Sequence, residues 1–359
     1  MGRRSREVGE VHGILLVDKP VGPTSHDLVE WVRRGLRIRR VGHCGTLDPA
    51  ASGLLVIAVG VATRVVPLLT DADKRYRASI LLGVRTDAGD LEGAVIERVA
   101  VDPSILARAP AAAEGLVGEH MLAPPVYSAI KVDGERAYDR ARRGEDFELA
   151  ARPMNVTAVD DVRVSEGPRG PVVDASLTVS KGTYIRTLAE VVGDRLGVPA
   201  CLAGLRRLAS GSLEVDDPRA LHPEAAPRPD DPDGPSRRWT LTIDGDVGER
   251  LRAAVIPIDE ATSLPTWTVS LDDEALRRLE QGQAPPCAAF ADGAGLCAFV
   301  AGLAAGSPIV VVARDAERRL RRWILTDLVD DYGPRLRPQR VLSLPGPAPT
   351  PTDNSSPSA

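Results

Sequence analysis

One stretch concentrates reactive side chains in this 359-residue chain: Arg39-Arg40-Val41-Gly42-His43-Cys44-Gly45-Thr46-Leu47-Asp48-Pro49, running on to Leu55. It sets an imidazole, a thiol and a carboxylate after a run of arginines and before an apolar segment. A carboxylate can act as a nucleophile when it is held ionised and aimed. Asp48 precedes Pro49, which biases it away from helical backbone. An Asp-Pro pair is also a common helix N-cap with proline in the first helical position, and the pair by itself favours that reading. The two readings are compatible, because a capping turn can hold a carboxylate rigidly towards a pocket. His43, taken alone, reads as structural. Gly42 and Gly45 permit tight turns and close approach of a ligand. His43 and Cys44 lack the further ligands that a metal site needs.

Other candidates lie far along the chain. Tyr76 stands in Lys74-Arg75-Tyr76-Arg77 at a strand start, where its ring is either half buried or stacked on a base beside phosphates. Lys181-Gly182-Thr183-Tyr184-Ile185-Arg186 joins a small turn to a second tyrosine and an arginine at a strand end. Tyr184 and Arg186 are two apart and face the same way in extended chain. An arginine there could pair with a buried carboxylate, an arrangement that favours the ionised form. Arg33, Arg34, Arg37, Arg39 and Arg40 make a helix end basic, and Arg142, Arg143, Arg206 and Arg207 form further basic groups. Cations at a helix end suit its dipole. Beside the Asp48 loop they also read as phosphate contacts.

Elements must position these groups. Gly13 to Pro20 reads as a short strand closed by a turn, and Asp27 to Arg34 as a helix capped by Thr24 or Ser25. Leu54 to Gly60 is a continuous apolar run and reads as a central strand. Val156 to Val164 and Val172 to Val179 alternate as strands, and Leu188 to Leu196 is helical with Gly197 as its stop. Residues 103–116 are Ala-rich and helical, and 121–152 form an irregular excursion able to cover a ligand. Further on, Trp267 to Ser270 reads as a strand and Asp272 to Gln281 as a helix. Strands then run through Phe299 to Val312, Trp323 to Leu328 and Arg337 to Leu344.

Composition narrows the function. The net charge of -5 argues against coating nucleic acid by bulk charge but leaves room for a local basic groove. Aromatic residues are only 3%, so stacking on many bases is not expected and each tyrosine near a candidate site is informative. The four cysteines match neither a CxxC pair nor a disulfide framework, so reduced thiols are expected. No stretch is long and apolar enough to span a membrane, and the basic start carries no signal core; the expected location is cytoplasmic. Walker, dinucleotide GxGxxG, HExxH and GxSxG signatures are absent.

The segments GILLVDKPVGPTS (13–25), RVGHCGTLDPAASGLL (40–55), DKRY (73–76), PPVYSAIK (124–131), KGTYIRT (181–187) and LRRL (205–208) resemble, in content and order, the TruB family of bacterial tRNA pseudouridine synthases. The resemblance covers about residues 13–215. More loosely, Leu264-Pro265, Leu279 to Gly282 and Arg335 to Leu342 resemble the PUA-like C-terminal module of that family. The implied fold is α/β (α+β), a pseudouridine synthase fold with a central, mostly antiparallel mixed sheet and a small β-rich PUA-like domain.

The resemblance also implies roles. Asp48 would be the nucleophile, Arg186 its partner, and Tyr76 would stack on the target base and take its C5 proton. His43 would fill the space left by the flipped nucleotide. Tyr184 and Leu205 would line the uridine pocket, with Lys19 and Pro20 in support. The substrate would be the T-arm of tRNA, at the T-loop uridine, without metal, cofactor, guide RNA or membrane. The protein would be a monomer. The expected organisation is a flexible leader (1–12), a catalytic domain (13–216) with a thumb-like insertion (121–152), a Pro/Asp-rich linker or insertion (217–255), a PUA-like domain (256–344) and a disordered tail (345–359).

Overall fold

The computed structural model describes residues 11–344, apart from 129, 133, 146, 228–238, 316 and 331–332. The leader up to residue 10, the tail 345–359 and the middle of the expected linker lie outside the described residues. No helix among the described residues is long and apolar enough to cross a membrane.

The chain opens with β1 (Gly13–Lys19), α1 (Ser25–Leu36), β2 (Val41–His43) and β3 (Ser52–Val59). Thr24 is the cap of α1: its hydroxyl accepts the Asp27 N–H, and the Asp27 carboxylate accepts the Thr24 N–H at 2.8 Å. That leaves Ser25 free for another task. β1 and β3 pair antiparallel from Gly13↔Val59 to Lys19↔Gly53, and β2 flanks β3.

The chain continues through β4 (Lys74–Leu82), β5 (Gly118–Leu122), β6 (Arg152–Gly167), β7 (Gly170–Val179), α2 (Ile185–Leu196) and β8 (Ala200–Ser210). Among the described residues these strands form one nine-stranded sheet in the order β1-β3-β8-β4-β7-β6-β5, with β2 and Leu213–Glu214 off this path. Every pairing is antiparallel except β3 with β8, as the expected mostly antiparallel mixed sheet requires.

That exception joins the two halves of the sheet through only Arg206↔Ser52 and Arg207↔Gly53. Gly53 (φ +99°) makes the approach possible, since a Cβ there would lie 2.2 Å from the Arg207 carbonyl oxygen. The Asp48 loop enters β3 at this seam.

Burial explains why β1 and β3 lack alternation. Leu15, Val17, Leu55 and Ile57 face Leu28, Trp31 and Val32 of α1. Ile14, Leu16, Leu54 and Val56 face Val310, Val312 and Trp323 of the C-terminal sheet. A strand covered on both faces reads as a continuous apolar run. The other half of the sheet packs Ala78, Ile80, Val173 and Leu177 against Leu188 and Val192 of α2.

The C-terminal part contains α3 (Val247–Ala253), β9 (Thr266–Val269), α4 (Glu274–Glu280), α5 (Gly293–Val300), β10 (Pro308–Arg314), β11 (Leu320–Asp330) and β12 (Pro334–Ser343). Its four strands run β9-β10-β11-β12, with β9 and β10 parallel. The expected strand from Phe299 is instead the end of α5, which Asp292 caps through the Gly295 N–H at 3.0 Å. A short apolar run does not distinguish helix from strand by periodicity.

The described parts of 217–255 also differ from a linker. Glu224–Pro227 pairs with Trp239–Thr242, α3 follows, and Leu221, Leu241 and Leu251 are buried in the layer containing α1. Leu221 exchanges backbone hydrogen bonds with β1 at Leu16 and Asp18 (2.9 and 2.8 Å). Pro, Asp and Arg content masked these few apolar anchors.

Candidate active site

No helix follows Asp48. The Ala51 N–H donates to the Asp48 carbonyl at 3.1 Å, closing a turn with Pro49 in its second position, and β3 begins at Ser52. Proline presets the backbone angle which that turn position needs. Three buried side chains grip the loop from outside its own sequence. The Ser25 hydroxyl accepts the Leu47 N–H at 2.8 Å and donates to the Leu47 carbonyl at 3.0 Å. The Lys19 ammonium donates to the carbonyls of Pro20, Pro23 and Pro49 at 2.9, 2.7 and 3.3 Å. Arg207 donates to the carbonyls of Leu54 and Gly45 at 2.6 and 3.1 Å. Burial pushes the Lys19 amine down to about 8, against the pull of nearby Asp48.

Arg186 comes from the first turn of α2, with Tyr184 as the residue preceding the helix. The KGTYIR segment is thus a turn and a helix start, and the helix begins three residues before the expected Leu188. Arg186 Nη2 lies 3.2 Å from Asp48 Oδ2 and donates to the Tyr127 carbonyl at 2.9 Å. Its Nη1 donates to the Ala88 carbonyl at 3.1 Å and lies 3.6 Å from Asp90 Oδ2. The Arg186 side chain is 8% exposed and that of Asp48 45%. The cation is therefore sealed in while the carboxylate opens to a cavity. Burial raises the Asp90 carboxyl, with Arg186 opposing, and Glu92 is raised by burial and by Asp90 and Asp48.

That cavity has a volume of about 410 Å³. Asp48, Tyr76, Tyr184, Arg186 and Leu205 all border it, so five expected residues converge from four separate chain segments. Tyr76 stands on β4 opposite Arg207 of β8, and Leu205 stands opposite Ala78. Burial raises the Tyr184 phenol above its ordinary value. Tyr127, Tyr138, Lys74 and Arg207 also border the cavity and were not expected there. Four of the five tyrosines of an aromatic-poor chain meet at this one place, which was the available sequence signal for Tyr127 and Tyr138. Asp90 carried no such signal, because Arg186 couples it to Asp48 only through the fold.

Other expected residues stand elsewhere. Lys19 and Pro20 lie under the loop and do not border the cavity. His43, on β2, pairs with Ile57 of β3 and does not itself border the cavity. Burial, then the charges of Arg207 and His26, push its imidazole below the ordinary value. Its Nδ1 is buried with no hydrogen-bond partner among the described residues.

The arginines divide. Arg34, Arg37, Arg39 and Arg40 are exposed at the end of α1. Arg33 is held by Glu30 and donates to the Val41 carbonyl at 2.9 Å. Arg206 makes a two-pronged pair with Asp18 at 2.9 and 2.8 Å. Arg207, 1% exposed, belongs to the floor of the site, so its expected role as an outward phosphate contact is corrected. A buried guanidinium serves the carbonyls around it first. Arg143 pairs with Glu135 and Glu145, whereas exposed Arg142 lies over the Tyr138 ring at 5.8 Å.

The family model "TruB family pseudouridylate synthase (N terminal domain)" matches residues 33–185, which include Asp48, Tyr76 and Tyr184. A tRNA pseudouridine synthase B of Opitutus terrae is 43% identical over 222 residues, covering 62% of this chain and 90% of the relative. One from Cupriavidus pinatubonensis is 40% identical over 276 residues, covering 76% and 80%. Among solved structures, a Cbf5-Nop10-Gar1 complex matches with a TM-score of 0.60 at 25% identity, covering 92% of this chain and 84% of that one. The shared sheet and these sequence matches define an isomerase of the pseudouridylate synthase class. The chain belongs to the TruB family.

Proposed function

We propose that this chain is a tRNA pseudouridine synthase that isomerises the T-loop uridine, position 55 in tRNA numbering, with Asp48 as nucleophile and no cofactor. The observation that carries the reading is the Asp48–Arg186 pair, 3.2 Å apart at the wall of a tyrosine-lined cavity. The relatives' names supply the substrate class: both are called tRNA pseudouridine synthase B.

The reaction breaks the bond between C1′ and N1, turns the base and joins C1′ to C5. The C5 proton leaves and N1 gains one, so atoms balance without oxidant or water. Asp48 adds either to C6 of the base or to C1′ of the sugar, and its open carboxylate suits both. Arg186 pairs with the nucleophile and holds it in place. Tyr76 stacks on the target base and takes the C5 proton, while Tyr184 and Leu205 hold the ring. His43 occupies the space that the base vacates, and a neutral imidazole is suited to stacking there. Extruding the base costs a few kcal/mol, which stacking and pocket contacts offset. Arg34, Arg37, Arg39, Arg40 and Arg142 contact phosphates of the T-arm. The chain acts as a cytoplasmic monomer without guide RNA, with residues 256–344 as its PUA-like RNA-binding module.

The test is incubation of the purified chain with an unmodified tRNA transcript, followed by mapping of pseudouridine. Product at the T-loop uridine is expected from the chain alone. Binding without product there would sink the catalytic reading, and product only on addition of a guide RNA would replace it with a guide-dependent one.

A further inference from the structure

Asp48 is held on both sides by one stretch of chain, residues 19–25. Before it, Leu47 is bonded to the Ser25 hydroxyl. After it, the Pro49 carbonyl accepts from the Gly22 N–H at 2.9 Å and from the Lys19 ammonium at 3.3 Å. Between these anchors the stretch stands at the surface: Val21 is 60% exposed, and Thr24 is exposed. Its cover comes from far along the chain. Gly22 has φ +112°, and a Cβ there would lie 2.4 Å from Cη2 and Cζ2 of Trp239, so the indole rests directly on the glycine backbone. Trp239 begins the strand Trp239–Thr242, which pairs with Glu224–Pro227. Leu241, two residues on and therefore on the same face, is buried with Leu28 and Trp31 of α1. Just before this pair of strands, Leu221 is bonded to β1 and His222 Nδ1 lies 3.2 Å from Asp18 Oδ2. The ring is thus carried by a ribbon anchored on β1 and α1.

We propose that Trp239 is a positioning residue for Asp48: its indole fills the face that Gly22 leaves open and holds residues 20–24 against Pro49. This rests on the reading of Asp48 as the nucleophile. Lys19 and Ser25 fix the inner side of the stretch by hydrogen bonds, and Trp239 closes its outer side by contact. Removing the ring leaves the Gly22 N–H to hold Pro49 from a segment with no outer wall. A reacting group displaced by about 1 Å loses on the order of 10²-fold in rate. Its precision depends on the side chains packed behind it as well as on its own bonds. Trp239 does not border the cavity, so it acts on where Asp48 stands and not on what binds there. A stretch that reads as a linker thereby becomes part of the support of the nucleophile.

The test compares Trp239→Ala with Leu251→Ala in the full chain. Leu251 is buried in the same layer but packs on Gly35, at the other end of α1 from Ser25, so its truncation reports lost stability alone. Single-turnover conversion of a saturated, unmodified tRNA transcript, RNA affinity and amide hydrogen exchange are measured for each. Trp239→Ala should slow conversion on the order of 10–10²-fold with RNA affinity unchanged, and Trp239→Phe should recover part of the rate by restoring ring surface. The Gly22 and Leu47 amides should lose protection in Trp239→Ala while those of β3 keep theirs. Leu251→Ala should lower the urea midpoint yet keep the rate and both amides. An unchanged rate with a protected Gly22 amide in Trp239→Ala, or equal slowing in Leu251→Ala, overturns the brace. No conversion by wild type defeats the uridine reading instead. The Gly22 and Leu47 amides then still decide the brace: lost protection in Trp239→Ala supports it, and retained protection overturns it.

Discussion

Arg207 beneath the Asp48 loop and Arg186 beside it are both nearly closed to solvent, but they are satisfied differently. The acceptors within hydrogen-bond reach of Arg207 are backbone carbonyls, those of Leu54 and Gly45 foremost. Arg186 is divided between two carbonyls and two carboxylates. The first arrangement shapes a backbone and leaves its charge uncancelled, which is one reason His43 and Lys74 shift downward nearby. The second divides its charge between Asp48, the proposed nucleophile, and Asp90. Two buried arginines bordering one cavity are thus satisfied in different ways.

The comparison can be broken at several points. Asp48→Asn keeps shape but removes the nucleophile, so turnover should fall to background while RNA binding persists; retained activity would remove Asp48 from the role. Arg186→Lys offers one compact cation in place of a fork that serves four acceptors. Its single-turnover rate should fall by about 10²–10³, the scale of losing one preorganised electrostatic contact, with a smaller change in RNA affinity. Arg207→Met should instead act on the fold. Leaving buried carbonyls without donors should cost on the order of 3 kcal/mol, read by urea unfolding. A stable variant with only lost activity would reverse the assignment.

Lys19 and Lys74 sharpen the picture through pH. In the folded protein burial lowers both amines to about 8, from 10.5 in the unfolded chain. Between those values the unfolded state binds more protons, so on account of these groups raising pH through this window favours folding. The unfolding free energy of wild type relative to Lys19→Met should therefore rise from about pH 8 to about pH 10.5. A flat difference would contradict a buried charged Lys19. The smallest effect separates neighbours on the excursion: Arg142→Ala should reduce the salt dependence of RNA binding by about one unit of slope. Arg143→Ala, already neutralised by Glu135 and Glu145, should change it less.

Much of this was legible in the chain. The apolar runs around Leu15 and Val56 marked central strands, because burial on two faces leaves no polar alternation. Asp48, Tyr76, Tyr184, Arg186 and Leu205 were identifiable from ordered motifs. The helix cap expected at Asp48 gave way to a turn, since local Asp-Pro chemistry suits both and β3 demanded extended chain at once. Arg207 looked like Arg206 and resembled a surface charge. Nothing local says that β8 would pass under the Asp48 loop.

What the sequence determined by itself was the set of candidate residues and most of the strands around them, because propensity and periodicity are local properties of the chain. Tertiary structure alone decided which charges meet. The two-residue seam between β3 and β8 sets Arg207 under the loop, and the start of α2 brings Arg186 between Asp48 and Asp90. Both outcomes depend on pairing segments about a hundred or more residues apart; the motifs anticipated the Arg186–Asp48 pair, but nothing in the sequence marked Asp90 or Arg207 for theirs.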